Sequence, residues 1–168
     1  MTNSLETQIG RLLQERGLKL VLAESCTGGL LGSRITDVPG SSEYFLGGVV
    51  AYAYEAKADL LGVSWDTLNT KGAVSRETVL EMARGIRNSM KANIAISVSG
   101  IAGPGGGTPE KPVGTTWIGL ITDEGEWTQI FQFSGNREEN KVSAVNAALK
   151  LLLGYLHGDQ LDPNRNTS

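Results

Sequence analysis

The chain has 168 residues, of which 40% are hydrophobic and 20% are charged, and its formal net charge is −3. This balance is typical of one globular domain with a sizeable core, and an acidic chain without a lysine or arginine cluster argues against nucleic-acid binding. One cysteine excludes an internal disulfide and a cysteine-based zinc cluster, and no apolar run reaches the ~20 residues that span a bilayer. The first ten residues lack the pattern of a secretory signal, so we expect a cytoplasmic protein without membrane contacts.

Turn residues and hydrophobic spacing divide the chain into alternating helices and strands. Ser4 is placed to cap a first helix that ends at Gly17, and Ser64 and Ser75 are placed to cap later ones. Further helical stretches are predicted over 30–35, from Ser41 or Ser42, over 55–62 and through Val142–Leu152. Strands are predicted at 18–24, 46–54, 93–100, 113–122 and 126–135.

The order of these elements predicts the fold class. Strands that alternate with helices favour a parallel sheet covered on both faces, and the last two strands are joined by a tight turn at Asp123–Gly125. We therefore expect an α/β fold, a three-layer α/β/α arrangement with a mixed sheet, in a single domain over residues 1–158. The polar tail, residues 159–168, is predicted to be disordered.

The segment AESCTGG, residues 23–29, joins a predicted buried strand to a helix. Such a junction exposes a side chain at the carboxyl edge of a sheet and presents backbone N–H groups, which suits a nucleophile with an oxyanion hole or a bound phosphate. Ser25 and Cys26 are both candidate nucleophiles, and the two glycines after them let a ligand approach the backbone closely. The alternative is a plain turn in which Ser25 or Thr27 caps the helix.

A nucleophile needs a group that takes its proton, and the chain offers few. The single histidine, His157, lies next to the polar tail, which argues against a Ser–His or Cys–His pair and leaves no histidine set for a metal. A buried lysine is the other route, because burial lowers its pKa and lets it accept a proton. Lys57 is the candidate, with Tyr52 and Tyr54 two residues apart on the preceding strand and so on one face. Alternatively, the tyrosines border the core and Lys57 is solvated.

Seven blocks of the sequence occur together in an order and at spacings that resemble a known family. They are AESCTGG, TDVPGSS, GGVVAYAYEAK, LLGV, GAVS, SGIAGPGGGTPEKPVGT and FSGNRE. From about residue 5 to residue 156, the chain resembles the C-terminal domain family of the competence/damage-inducible protein CinA. The resemblance implies an amidohydrolase of pyridine-nucleotide salvage that converts nicotinamide mononucleotide to nicotinate mononucleotide and ammonia. It also implies a homodimer.

The catalytic serine, lysine and tyrosine of that family match Ser25, Lys57 and Tyr52 of this chain. The match selects Ser25 over Cys26, and the physical argument agrees, because the sequence places no histidine or evident cation beside Cys26 to lower the pKa of its thiol. We expect neutral Lys57 to take the Ser25 proton, with Tyr52 relaying it or holding the hydrogen bond, and no metal or organic cofactor. The oxyanion is expected to bind backbone N–H groups at Cys26, Thr27, Gly28 and Gly48.

A second glycine-rich segment, residues 99–112, follows the third predicted strand at the same edge of the sheet. A loop of this length with many free N–H groups suits phosphate or amide recognition. We expect it to bind the ribose-phosphate of the substrate through Gly100, Gly103, Gly105 and Thr108. Arg137 is expected to add positive charge for the phosphate. Alternatively, the loop is only a long connection and Arg137 is a surface residue at the start of a helix.

One block departs from the family pattern. The segment SGNREENK, residues 134–141, keeps Arg137 but has Asn136 in place of the usual aspartate and Lys141 in place of a later arginine. We expect this departure to change substrate affinity more than chemistry. The rival hypothesis is a catalytically inactive relative that binds a nucleotide or a protein partner in competence or DNA-damage physiology.

Overall fold

A computed structural model describes residues 3–167 of the chain. The helices are α1 (Leu5–Arg16), α2 (Leu30–Thr36), α3 (Tyr54–Leu61), α4 (Trp65–Lys71), α5 (Arg76–Met90) and α6 (Arg137–His157), with a short 3₁₀ helix at Ser41–Glu43. The strands are β1 (Leu20–Glu24), β2 (Phe45–Val50), β3 (Ile94–Gly100), β4 (Thr115–Thr122), β5 (Gly125–Gln132) and β6 (Asn164–Thr167).

The strands form one sheet in the order β2–β1–β3–β4–β5–β6. β1 pairs in parallel with both β2 and β3, whereas β4 runs antiparallel to β3 and to β5. The sheet is therefore mixed, as predicted. Because parallel strands end at the same edge, the residues that follow β1, β2 and β3 converge there, and this edge is where open α/β sheets bind their ligands.

Helices cover both faces of the sheet. On one face α6 packs against β3 and β4, with α1 and α2 beside it, and on the other α5 packs against β1, β3 and β4, with α3 and α4 beside it. β1 is buried along its whole length because its side chains alternate between the two layers: Leu20 and Leu22 belong to one core cluster, and Val21 and Ala23 to the other. The predicted three-layer α/β/α fold is confirmed.

The second strand is shorter than predicted. β2 ends at Val50 rather than at residue 54, and α3 begins at Tyr54. Residues 51–53 leave the sheet and connect it to the helix. Within this connection, the carbonyls of Ala51 and Tyr52 accept hydrogen bonds from Lys57 Nζ at 2.8 and 3.3 Å. Tyr52 and Tyr54 therefore do not share one face of a strand, contrary to the prediction.

The polar tail is partly ordered, which also differs from the prediction. The N–H of Asp159 donates to the Gly154 carbonyl at 3.0 Å, and Leu161 packs against the larger core cluster. β6 then pairs in parallel with β5. Without β6, β5 would be a sheet edge with unpaired backbone groups. A polar segment can pair with this edge, because the pairing uses backbone groups and does not require apolar side chains.

Candidate active site

A serine and a lysine from two different elements meet at the carboxyl edge of the sheet. Ser25 follows β1 directly, and its N–H donates to the Val98 carbonyl of β3 at 3.0 Å. Lys57 reaches the same point from α3, and its Nζ donates to Ser25 Oγ at 2.9 Å. The exposed fractions of Ser25 and Lys57 are only 7% and 1%. The structure thus brings together the two residues expected to act as nucleophile and base.

The surroundings of Lys57 suit both of its charge states. Burial lowers the pKa of Lys57 below its ordinary value. In the charged form, its three N–H groups match three acceptors: Ser25 Oγ and the carbonyls of Ala51 and Tyr52. In the neutral form, two N–H groups can stay on the two carbonyls while the lone pair faces the serine hydroxyl, which then donates to it. This arrangement can take the serine proton without moving the amine.

The turn after Ser25 is closed by its own backbone. The N–H of Gly28 donates to the Ser25 carbonyl at 3.0 Å. Gly28 and Gly29 have φ values of +60° and +98°, which residues with side chains rarely adopt. Contrary to the prediction, the N–H of Gly28 is engaged within the turn and does not face an oxyanion. Gly29 is the N-cap of α2, so neither Ser25 nor Thr27 caps that helix.

Cys26 and Thr27 can serve the site only through their backbone. Within residues 3–167, no backbone carbonyl accepts from the N–H of Cys26 or of Thr27, so these two groups are the candidate oxyanion donors. The Cys26 side chain is buried in the larger core cluster, and burial raises the pKa of its thiol to about 11. A thiol in this environment is a poor nucleophile. The geometry therefore favours Ser25 over Cys26.

Glu24 is a residue of the site that our sequence reasoning missed. Its buried carboxylate accepts three hydrogen bonds: from Thr27 Oγ1 at 2.6 Å, from Leu31 N at 2.9 Å and from Gly32 N at 3.0 Å. Glu24 therefore ties the end of β1 to the first turn of α2 and fixes the segment that carries Ser25. A carboxylate at the end of an otherwise apolar strand was the available signal.

We expect Glu24→Gln to destabilise the fold. The amide replaces one accepting oxygen with an NH₂ group that faces backbone N–H donors, so at least one buried donor loses its partner, at a cost of about 1–3 kcal/mol. Urea denaturation would measure this loss. Glu15→Gln is a matched control, because Glu15 is an exposed carboxylate on α1 that forms a surface ion pair with Arg11. Equal free energies of unfolding for the two variants would contradict this role of Glu24.

The structure places the Tyr52 hydroxyl differently from the prediction. Tyr52 is 58% exposed, and its hydroxyl accepts a hydrogen bond from Arg137 Nη2 at 2.8 Å. Tyr52 touches Lys57 through its backbone carbonyl instead. Because Lys57 contacts Ser25 directly, proton transfer between them needs no phenol relay. Tyr52 lies at the edge of the site, where it connects Lys57 to Arg137.

Arg137 joins the glycine-rich loop to this edge. Its Nη1 donates to the Gly103 carbonyl at 2.6 Å, while its Nη2 contacts Tyr52. A cavity of about 550 Å³ opens beside it. The cavity is lined by Ala102, Pro104, Val113, Gly135, Asn136, Arg137 and Glu138. Lys141 brings a second cation to the site, since a Cβ added to Gly28 would lie 3.7 Å from Lys141 Nζ.

The other residues predicted to bind substrate or the oxyanion do not line the cavity beside Arg137. Gly48 pairs with Leu22 two residues before the end of β2, so it belongs to the sheet and not to an oxyanion hole. Gly100 pairs with Thr116 at the end of β3, and an added Cβ would lie 2.5 Å from Thr116 Oγ1, which indicates a packing role. Two loop residues lie on the surface outside the lining of the cavity beside Arg137, namely Gly105 and Thr108.

His157 is far from Ser25. It is the exposed last residue of α6, a helix of 21 residues that begins at Arg137 beside the site. A helix of that length extends about 30 Å. His157 therefore lies at the opposite end of the domain and cannot serve as the base.

The described residues, 3–167, also bear on metal binding and on membrane insertion. They contain no group of three or more His, Cys, Asp and Glu side chains placed to hold a metal ion. Their helices also include none with the length and apolar character needed to cross a membrane.

The amino-acid sequence is similar to a described protein family and to individual curated proteins. Residues 2–156 match the CinA C-terminal domain family. A Halothermothrix orenii protein named as competence-damage inducible is 53% identical over 154 residues, which cover 91% of this chain and 37% of that protein. A CinA-like protein of Desulfotalea psychrophila is 47% identical over 151 residues, covering 90% and 37%.

Solved structures agree with the sequence relatives. The crystal structure of the competence damage-inducible protein A (ComA) from Klebsiella pneumoniae has a TM-score of 0.89 at 38% identity, covering 93% of this chain and 97% of that one. The crystal structure of the competence/damage inducible protein CihA from Agrobacterium tumefaciens has a TM-score of 0.87 at 39% identity, covering 94% of this chain and 98% of that one. The chain spans just over a third of the length of the curated relatives that it matches.

Proposed function

The chain belongs to the CinA C-terminal domain family, and we propose that it is an amidohydrolase that converts nicotinamide mononucleotide to nicotinate mononucleotide and ammonia. The observation that carries the proposal is the direct hydrogen bond, 2.9 Å long, between buried Lys57 and Ser25. A serine beside a lysine of lowered pKa is an activated nucleophile for acyl transfer. The substrate is the one that the family resemblance implies.

The first half of the proposed reaction forms an acyl-enzyme. Neutral Lys57 takes the Ser25 proton as Oγ attacks the carboxamide carbon, and the carbonyl oxygen becomes an oxyanion that accepts from the N–H groups of Cys26 and Thr27. The Lys57 ammonium then gives its proton to the amide nitrogen. The C–N bond breaks, ammonia leaves, and the acyl group stays on Ser25 as an ester.

The second half repeats these roles with water. Lys57, neutral again, takes a proton from a water molecule that attacks the ester carbon, and the oxyanion returns to the same two N–H groups. Collapse of the intermediate breaks the bond to Ser25 Oγ, which recovers its proton from Lys57. The product forms as a carboxylic acid, gives its proton to water and leaves as nicotinate mononucleotide, while serine and lysine have returned to their starting states.

Positive charge at the edge of the site, from Arg137 and Lys141, supports a phosphorylated substrate. Arg137 uses Nη1 and Nη2 for one protein contact each, whereas a guanidinium carries five N–H donors, so some remain for a phosphate oxygen. Lys141 adds a second cation near Gly28. We assign the phosphate to this face of the cavity beside Arg137.

The homodimer implied by the resemblance stays a prediction, which light scattering on the purified protein would check.

Ammonia release from nicotinamide mononucleotide by the purified chain tests the proposal. We expect release with a matching amount of nicotinate mononucleotide, and slower release from nicotinamide riboside, which lacks the phosphate. The Ser25→Ala variant supplies the background rate. Release no faster than that background would overturn the amidase proposal and favour the alternative, a relative that binds without turnover.

A further inference from the structure

The first turn of α6 holds the glycine-rich loop through two side chains. Arg137 donates to the Gly103 carbonyl at 2.6 Å, and Asn140, one turn further along the helix, donates through Nδ2 to the Ala102 carbonyl at 3.0 Å. Two consecutive carbonyls of the loop are thus fixed by residues three positions apart on α6. Residues at that spacing lie on the same face of a helix.

Asn140 is buried, and both ends of its amide are used. Its exposed fraction is 3%, and its Oδ1 accepts from the Gly135 N–H at 3.0 Å while Nδ2 holds Ala102. Asn140 therefore connects the loop to the segment that enters α6. A buried amide whose oxygen and nitrogen are both hydrogen-bonded holds its neighbours in one arrangement, because breaking either bond leaves a buried polar group unpaired.

Arg137 and Asn140, with the loop carbonyls that they bind, form a clamp that adjoins the proposed substrate site. Ala102, Gly135 and Arg137 all line the cavity of about 550 Å³. Arg137 also contacts the Tyr52 hydroxyl, and the Tyr52 carbonyl accepts from Lys57. The loop is thereby connected to the rim of the site through Arg137 and Tyr52, whereas Lys57 is held separately by its bonds to Ser25 and the Ala51 carbonyl.

We propose that Asn140 is a positioning residue of the substrate site, which sets the affinity for the mononucleotide by holding the Ala102 carbonyl and with it loop residues 101–107. This inference rests on the proposed function. Asn140 does not touch the Ser25–Lys57 pair, so its loss acts on binding and leaves the chemical step in place.

Asn140→Asp separates the two hydrogen bonds of the amide. The retained oxygen still accepts from the Gly135 N–H, whereas the second oxygen faces the Ala102 carbonyl and repels it. We expect KM for nicotinamide mononucleotide to rise roughly tenfold, the effect of one lost buried hydrogen bond, while kcat changes less than about twofold. Asn146→Asp is the matched control: Asn146 lies on the same helix, accepts from Arg34 Nη1 and should leave both constants unchanged.

KM distinguishes positioning from a purely structural role. A variant that only lowers stability reduces the concentration of folded enzyme, and hence the apparent kcat, but leaves KM of the folded molecules unchanged. If Asn140→Asp does not fold, Asn140→Ala removes both bonds without adding a charge and should raise KM in the same way. An unchanged KM in the folded variant would overturn the proposal.

Hydrogen exchange of the free protein tests the clamp without any substrate. We expect the backbone amides of residues 101–107 to exchange faster in Asn140→Asp than in the unmodified protein, while the amides of β1 exchange equally in both. Should the unmodified protein release no ammonia, the proposed function fails, yet the exchange result still decides whether Asn140 holds the loop. Equal exchange of the loop in both proteins contradicts the inference, even if KM rises.

Discussion

Replacing Ser25 with alanine is expected to abolish ammonia release from nicotinamide mononucleotide. The variant keeps Lys57 but removes the Oγ that attacks the carboxamide carbon, so no acyl-enzyme can form. Loss of a nucleophile typically lowers the rate by several orders of magnitude. The fold should persist, because the hydrogen bond from the Ser25 N–H to the Val98 carbonyl does not involve the side chain. Single-turnover and steady-state ammonia assays would both report the loss.

Cys26→Ala is the matched control for this experiment. The substitution alters the neighbouring residue and leaves the backbone N–H that we assign to the oxyanion. Because the Cys26 thiol is buried in the core and its pKa is raised to about 11, we expect most of the activity to remain. Full activity in Ser25→Ala, or loss of activity in Cys26→Ala alone, would refute the assignment of the nucleophile.

Replacing Lys57 with methionine is the second change with a large expected effect. Methionine approximates the apolar stem of lysine but lacks the amine that takes the Ser25 proton, so nearly all activity should disappear while the fold is retained. Lys57→Arg should also be inactive, because a guanidinium stays protonated at any working pH. An active Lys57→Arg variant would exclude lysine as the base.

The pH dependence of kcat/KM follows from the same residue. Burial lowers the pKa of Lys57, so its neutral, proton-accepting form is populated at a lower pH than for a free lysine of pKa about 10.4. We expect kcat/KM to fall on the acidic side as Lys57 becomes protonated in the free enzyme. The profile should follow one ionisation. A profile that stays flat through the pH range where the protein is folded would contradict a lysine base.

Stability should depend on pH with a predictable sign. Between the lowered pKa of folded Lys57 and the value of about 10.4 in the unfolded chain, the unfolded state binds more protons, so the free energy of unfolding rises with pH. Below the lowered pKa, both states are protonated and the full cost of burying the charge remains. Lys57→Met should lack this rise. Urea denaturation of both proteins at a series of pH values would measure the difference.

Local sequence patterns determined the layers of the fold. Apolar spacing distinguished helices from strands, and the alternation of Leu20, Val21 and Leu22 between two core clusters is what a strand buried on both faces requires. The single histidine left few bases besides a lysine, and the family resemblance then selected Ser25 and Lys57 from the candidates. The layers follow from the spacing of neighbouring residues, and the two site residues follow from the match of sequence blocks to a family, so neither inference needed the folded structure.

Only the tertiary structure decided how distant residues pair. Lys57 meets Ser25 across 32 positions and Arg137 meets Tyr52 across 85, and both contacts depend on where β2 ends. Because β2 ends at Val50, Tyr52 lies in the connection to α3, where its carbonyl accepts from Lys57 and its hydroxyl accepts from Arg137 of α6. The sequence did not reveal the roles of Glu24 and Asn140, because both roles depend on hydrogen-bond partners in other parts of the fold. A buried polar residue shows its purpose only when the folded backbone supplies the donors and acceptors around it, and no spacing in the sequence encodes those partners.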